Sequence, residues 1–97
     1  MTSLVVRPAA AADVEDAYLW YEAQRRGLGE EFLSEVDRIV LSIVENPPRY
    51  SIIHRETRRA LLRRFPYAVF YRVLDDTVVI VAVMHGSRDP RRWHGRT

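Results

Sequence analysis

The sequence predicts an α+β fold, with an N-terminal strand and an antiparallel two-helix hairpin packed on a three- to four-stranded antiparallel sheet. Three observations predict it. Apolar residues recur every three or four positions over about residues 10–45, with a break at Gly27. Asn46-Pro47-Pro48 then ends the helical pattern. Beyond the prolines the period changes to two, through about residues 58–85, around a two-residue Asp75-Asp76 turn.

The elements follow in order. Leu4 to Arg7 form a short strand, stopped by Pro8. A helix runs from about Ala10 to Arg26, with Val14, Ala17, Tyr18 and Tyr21 on its buried stripe. Asp13, Glu15 and Asp16 lie in its early turns, where negative charge suits the helix dipole. Gly27 is placed to cap it in the left-handed conformation. A second helix, about Gly29 to Glu45, carries the strongest amphipathic repeat: Phe32, Leu33, Val36, Ile39, Val40, Ile43 and Val44. Only about three residues separate the helices, so they should form a hairpin. Tyr50 to Ile53 reads as a short extended piece and Arg58 to Phe65 as a strand broken by Pro66. Two further strands, Tyr67 to Leu74 and Thr77 to His85, form a hairpin, and residues 86–97 are a basic, irregular tail. A single domain is expected from 97 residues without a linker or repeat.

Continuing the Asp75-Asp76 turn in simple register pairs Tyr71 with Ile80 and Ala68 with Val83. One face then carries Tyr67, Val69, Tyr71, Val73, Val78, Ile80, Ala82 and Met84. The other carries Ala68, Phe70, Arg72, Leu74, Val79, Val81, Val83 and His85. Both are largely apolar, and two helices can cover only one. The face with Arg72 and His85 is expected to be open, a patch of Phe70, Val79, Val81 and Val83 suited to a partner. The alternative is that the tail, led by Trp93, folds over part of it.

Composition narrows the chemistry. There is no cysteine, which excludes disulfides and thiolates and fits a reducing cytoplasm. The N-terminus lacks a basic segment followed by a long apolar one, so no secretion signal is expected. The longest apolar run, Val78 to Met84, is too short to cross a membrane. Residues 1–46 hold four Arg and nine Asp or Glu, net −5, whereas residues 47–97 hold eleven Arg and four acids, net +7. The basic half suggests an anionic partner, either nucleic acid or an acidic protein segment.

No glycine-rich phosphate loop, metal-ligand spacing or hydrolase triad is present, and neither cofactor nor metal is expected. His85 with nearby arginines is the one catalytic candidate. An imidazole could move protons while Arg59, Arg64 and Arg88 hold a phosphodiester undergoing attack by a 2′-hydroxyl. Against this stands a plain strand-end histidine and solvated arginines. Trp93 could stack a base or anchor the tail.

The stretches WYEAQRRGLGEEF (residues 20–32), NPPRY (46–50), RRALLRRFPYAVFYRV (58–73) and VVIVAVMHGSRDPRRW (78–93) resemble the RelE/ParE superfamily of bacterial type II toxins. The His-x-x-Arg-x-Pro ending at His85, Arg88 and Pro90 is part of that resemblance. It implies a cognate antitoxin whose acidic amphipathic segment wraps the sheet face in a hetero-oligomer. It also implies one of two targets. RelE-like relatives cleave messenger RNA on the ribosome; ParE-like ones inhibit DNA gyrase. The nuclease pattern places arginine after the tyrosine matching Tyr67, and this chain has Ala68. It has no lysine and no tyrosine in the tail. The resemblance is therefore ParE-like: a gyrase-binding toxin without catalytic residues, with a RelE-like endoribonuclease or a non-toxic binding module as alternatives. The residues expected to meet antitoxin or target are Arg58, Arg59, Arg63, Arg64, Phe70, Arg72, Val79, Val81, His85, Arg88 and Trp93.

Overall fold

A computed structural model describes residues 2–86 and 90–96. Its elements are β1 (Ser3–Val6), α1 (Pro8–Gln24), α2 (Leu28–Glu45), a 3-10 turn (Pro47–Arg49), β2 (Ile52–His54), β3 (Thr57–Leu61), β4 (Tyr67–Leu74), β5 (Thr77–His85) and α3 (Arg91–His94). The strands form one sheet in the order β1-β5-β4-β3-β2. This is the expected α+β arrangement, with two extensions. The N-terminal strand joins the sheet, parallel to β5, and the extended piece before β3 adds the opposite edge. Pro8 opens α1 rather than merely ending β1, since a first-turn residue needs no N–H partner.

The helix hairpin turns on glycine and one carboxylate. Gly27 sits at φ 90°, a conformation that favours glycine. The Glu22 carboxylate accepts the N–H groups of Gly27 at 3.0 Å and Gly29 at 2.9 Å. At Gly29 the helices nearly touch: a Cβ there would stand 2.8 Å from both the ring and the carbonyl oxygen of Tyr18. The amphipathic stripe of α2 buries Phe32, Val36, Ile39 and Ile43 against the sheet. Tyr21 joins it, its ring 5.3 Å from Phe32 and 4.8 Å from Phe65. Phe65 reaches the core from the β3–β4 loop, because β3 ends at Leu61 and does not run on to Phe65.

The simple register of the hairpin is wrong beyond Tyr71. Tyr71 pairs with Ile80, as expected, but Phe70 pairs with Ala82, leaving Val81 as an extra residue in β5. Such a bulge reverses the facing of every later side chain. Ala68 therefore pairs with Met84 rather than Val83, and Tyr67 pairs with His85. Val83 and His85 turn to the helix side, while Ala82 and Met84 turn away.

Side chains from distant elements hold the bulge. The N–H of Val83 donates to the Asp13 carboxylate at 3.0 Å. Arg96 donates to the same carboxylate at 2.6 Å and to the Val81 carbonyl at 3.3 Å. Arg7 donates to the Arg96 carbonyl at 2.6 Å, and its own N–H pairs with Ile80. The beginning, middle and end of the chain thus meet at one irregular point in β5.

The second sheet face is not open. Ala68, Phe70, Val79, Val81 and Ala82 are buried there with Trp93. Trp93 is 6% exposed and stacks on Phe70 with ring centres 4.6 Å apart. The tail that was expected to be irregular contains α3, which delivers this indole as a lid. The apolar face predicted from the pattern exists, without Val83, but the chain covers it itself.

Two substitutions test this account. Gly29→Ala should destabilise the fold by about 1–3 kcal/mol, because backbone rather than a flexible tip blocks the new methyl. Asp13→Ala should cost about 1–3 kcal/mol by leaving the Val83 N–H and Arg96 without their acceptor. Urea unfolding curves measure both, and wild-type midpoints would refute the respective packing claims.

Candidate functional site

The four arginines expected to form an anion-facing cluster are dispersed. Arg58 lies opposite Tyr71 and donates to the carbonyls of Tyr50 at 2.6 Å and Pro48 at 3.2 Å. Tyr71 donates to the neighbouring Pro47 carbonyl at 2.6 Å, so this corner is a structural brace. Arg64 pairs with Glu31 at 2.5 Å, and Arg25 reaches the same carboxylate at 2.9 Å. These two guanidiniums hold the Glu31 carboxyl below its usual pKa, Arg64 contributing more. Arg63 is exposed in the β3–β4 loop. Arg59 is exposed opposite Phe70, on the lidded face. Arg72 shares that face and pairs with Glu56 at 3.2 Å.

His85 is on the other side of the sheet. Its ring stands 5.7 Å from Tyr67, beside the helix hairpin. The candidate catalytic set is therefore not brought together: Arg59 is on one face, His85 on the other, and Arg64 is committed to Glu31. Arg88 lies outside the described residues. Among the described residues, no three His, Asp or Glu side chains gather where they could hold a metal. No described helix is long and apolar enough to cross a membrane.

What the structure does assemble is an aromatic lid. Beyond Phe70 and Trp93, the His54 and His94 rings stack at 3.6 Å with their planes 7° apart. Trp93 meets both edge-on, at 5.7 Å from His54 and 4.2 Å from His94. The hairpin of β2 and β3 and the helix α3 thus close over Phe70 together. Of the expected partner residues, Phe70, Val79 and Val81 lie beneath this lid and Trp93 is the lid. Arg59 and Arg72 share the same face. Exposed Leu61 and Leu74 extend its apolar rim.

Two charged residues that organise the surface escaped the sequence reading. Asp13 was assigned to the helix dipole, yet it anchors the bulge. Glu35 received no role, yet it is 4% exposed and accepts the backbone N–H groups of Arg63 and, at 2.9 Å, Arg64. It fixes the loop that carries both arginines. The signal was available for Glu35: it falls three residues after Phe32 and four before Ile39, on the buried stripe of α2.

A family model described as "ParE toxin of type II toxin-antitoxin system, parDE" matches residues 4–90. Among curated proteins, Toxin ParE2 of Mycobacterium tuberculosis (strain CDC 1551 / Oshkosh) is 34% identical over 55 residues, covering 57% of this chain and 52% of that protein. The chain spans about half the length of the curated relatives it matches. Among solved structures, a chain of the chromosomal ParDE TA system from P. aeruginosa is 25% identical, covering 88% of this chain and 96% of that one, with a TM-score of 0.68. A chain of the intact E. coli RelBE toxin-antitoxin complex is 17% identical, covering 91% and 100%, with a TM-score of 0.69; that likeness is one of fold.

The lid carries a pH signature. Burial, then the neighbouring His94 and Arg55, lower the pKa of His54 below the usual histidine value of about 6.5. A base with a lowered folded pKa supports the closed state above its unfolded value, and that support is lost as pH falls through the folded value. Trp93 should therefore become more solvent-exposed below about pH 6.5. Imidazole NMR titration with Trp93 fluorescence tests this. A His54 that titrates at or above the unfolded value, with the lid unmoved, would refute it.

Proposed function

The chain belongs to the ParE toxin family of type II toxin–antitoxin systems, and from that premise we propose that it is a toxin that arrests growth by binding DNA gyrase in the cytoplasm. A cognate antitoxin neutralises it, in a hetero-oligomer, with an acidic amphipathic segment laid across the lidded sheet face. The whole chain acts as one toxin domain. No substrate is turned over by the toxin in this reading.

The observation that carries it is the separation of His85 from Arg59 and Arg64, two of the arginines the nuclease reading needs. Proton transfer beside a clamped phosphodiester needs imidazole and guanidinium groups converging within about 3 Å of the reacting atoms. Here the bulge sends His85 to the helix side, away from Arg59 and Arg72. Ala68, paired with Met84, supplies no cation where the nuclease pattern has one. A binding toxin needs no such convergence.

The same geometry supports this face as the antitoxin surface. Arg59 offers charge, Leu61 and Leu74 offer apolar contact, and Phe70 lies under Trp93. A segment that inserts an apolar side chain on Phe70 takes the place of the indole and releases α3. Ordering of the antitoxin segment on this surface supplies the switch.

The proposal is tested with purified protein in gyrase supercoiling and in a translating extract. Loss of supercoiling with intact message is expected. Message cleaved at codon positions on the ribosome, with supercoiling intact, would replace the gyrase reading with the endoribonuclease one. Antitoxin added at equal concentration should restore supercoiling.

A further inference from the structure

A cavity of about 740 Å³ opens beside α1, at the His85 end of β5 and next to α3. Its lining runs past the edge of β5: Trp20, Tyr67 and His85 stand on the helix side, Met84 turns toward the lidded face, and Arg92 belongs to α3. Trp20 stands at its edge, 59% exposed, and is braced edge-on against Tyr21 at 5.1 Å. A large aromatic residue held on one side and bare on the other is typical of an interface anchor. Tyr67, His85 and Met84 continue the wall.

Charge tells which class of partner fits. The lining contains two acids, Asp13 and Asp16, and two arginines, Arg92 and Arg96. Asp13 and Arg96 are already spent on each other at 2.6 Å. Asp16 and Arg92 form no ion pair among the described residues. A polyanion gains its affinity from a net positive surface, and this cavity offers none. An acidic antitoxin segment likewise finds a better match at exposed Arg59. What remains is an apolar, partly aromatic wall with one free charge of each sign. A segment of folded protein can match that pattern, and the volume has room for more than one bulky side chain.

We propose that this cavity, entered from the α1 side at Trp20 and Asp16, is the toxin's docking site for its target protein, whereas the antitoxin lies across Phe70. Its occupant is a protein segment that packs a bulky apolar or aromatic side chain against Trp20 and presents a basic residue to Asp16 and an acidic residue to Arg92. The inference rests on the reading of the chain as a toxin, but it does not depend on the target being gyrase. The bulge has a part in it: by turning His85 and Val83 toward the helices, it makes the end of β5 a wall of the cavity.

The test expresses wild type, Trp20→Ala, Asp16→Arg and Leu41→Ala in cells, with and without antitoxin. Growth arrest and antitoxin co-purification are scored, and circular dichroism checks folding. Leu41 on α2 is also 59% exposed but does not line the cavity, so its variant controls for loss of any surface apolar group. Trp20→Ala and Asp16→Arg should weaken growth arrest by about tenfold or more while keeping the antitoxin. Leu41→Ala should behave as wild type. Both cavity variants arresting growth like wild type, or losing antitoxin and arrest together, would overturn the proposal. So would a specific shift of the Trp20 indole NMR signal with millimolar AMP, which assigns the cavity to a nucleotide. Arrest by wild type with supercoiling intact removes gyrase as target and leaves the cavity test standing. A wild type that arrests nothing overturns both.

Discussion

The carboxylate of Asp13 is the constraint on which the rest of this structure depends. It accepts the Val83 N–H and pairs with Arg96, whose guanidinium also reaches the Val81 carbonyl. A bulge leaves backbone groups without ladder partners, and such groups must be satisfied somewhere. Here a helix and the tail supply the partners. The arrangement sets the facing of every residue from Ala82 to His85. It also ties down the segment that follows α3, and so holds the lid in place.

The lid resolves an excess of apolar surface. A helix hairpin on one side of a five-stranded sheet leaves the other side unprotected. Among the described residues no third layer covers it, and four residues of α3 serve instead. One indole on Phe70, flanked by two stacked imidazoles, closes the most apolar part. Coverage of this kind is local. It leaves Leu61 and Leu74 exposed at the rim, and it is held by aromatic contacts rather than by an extensive core. Such elements belong to the low-stability end of a protein, where partners can compete with them.

Much of the fold was legible in the sequence, and each success has a physical marker. The helical stripe of α2 has a clear period, Gly27 carries the required positive φ, and Asp75-Asp76 forms the tight turn. The bulge was not legible, because register is read from alternation and the run Val78 to Met84 has none. Every residue in it is apolar, so neither facing is marked as inside. The partners of the arginines were not legible either. Arg58, Arg59, Arg63 and Arg64 are close in sequence, but Arg58 and Arg64 are spent on separate partners, at Tyr50 and Glu31. The separation of His85 from Arg59 could not be read without the bulge. Trp93 was legible as a tail anchor, though not what it would cover.

The clasp also bears on how the chain reaches its folded state. Asp13 and Arg96 are 83 positions apart, and Arg7 and Arg96 are 89 apart. Contacts of such separation form late, since loop closure must precede them. During synthesis the chain emerges from its N-terminus, so Asp13 and all of β5 are present before Arg96. Until Arg96 arrives, the Val81 carbonyl lacks its guanidinium and Asp13 lacks its ion pair. Arg96 therefore adds its contacts to the bulge only after both hairpin strands have been made.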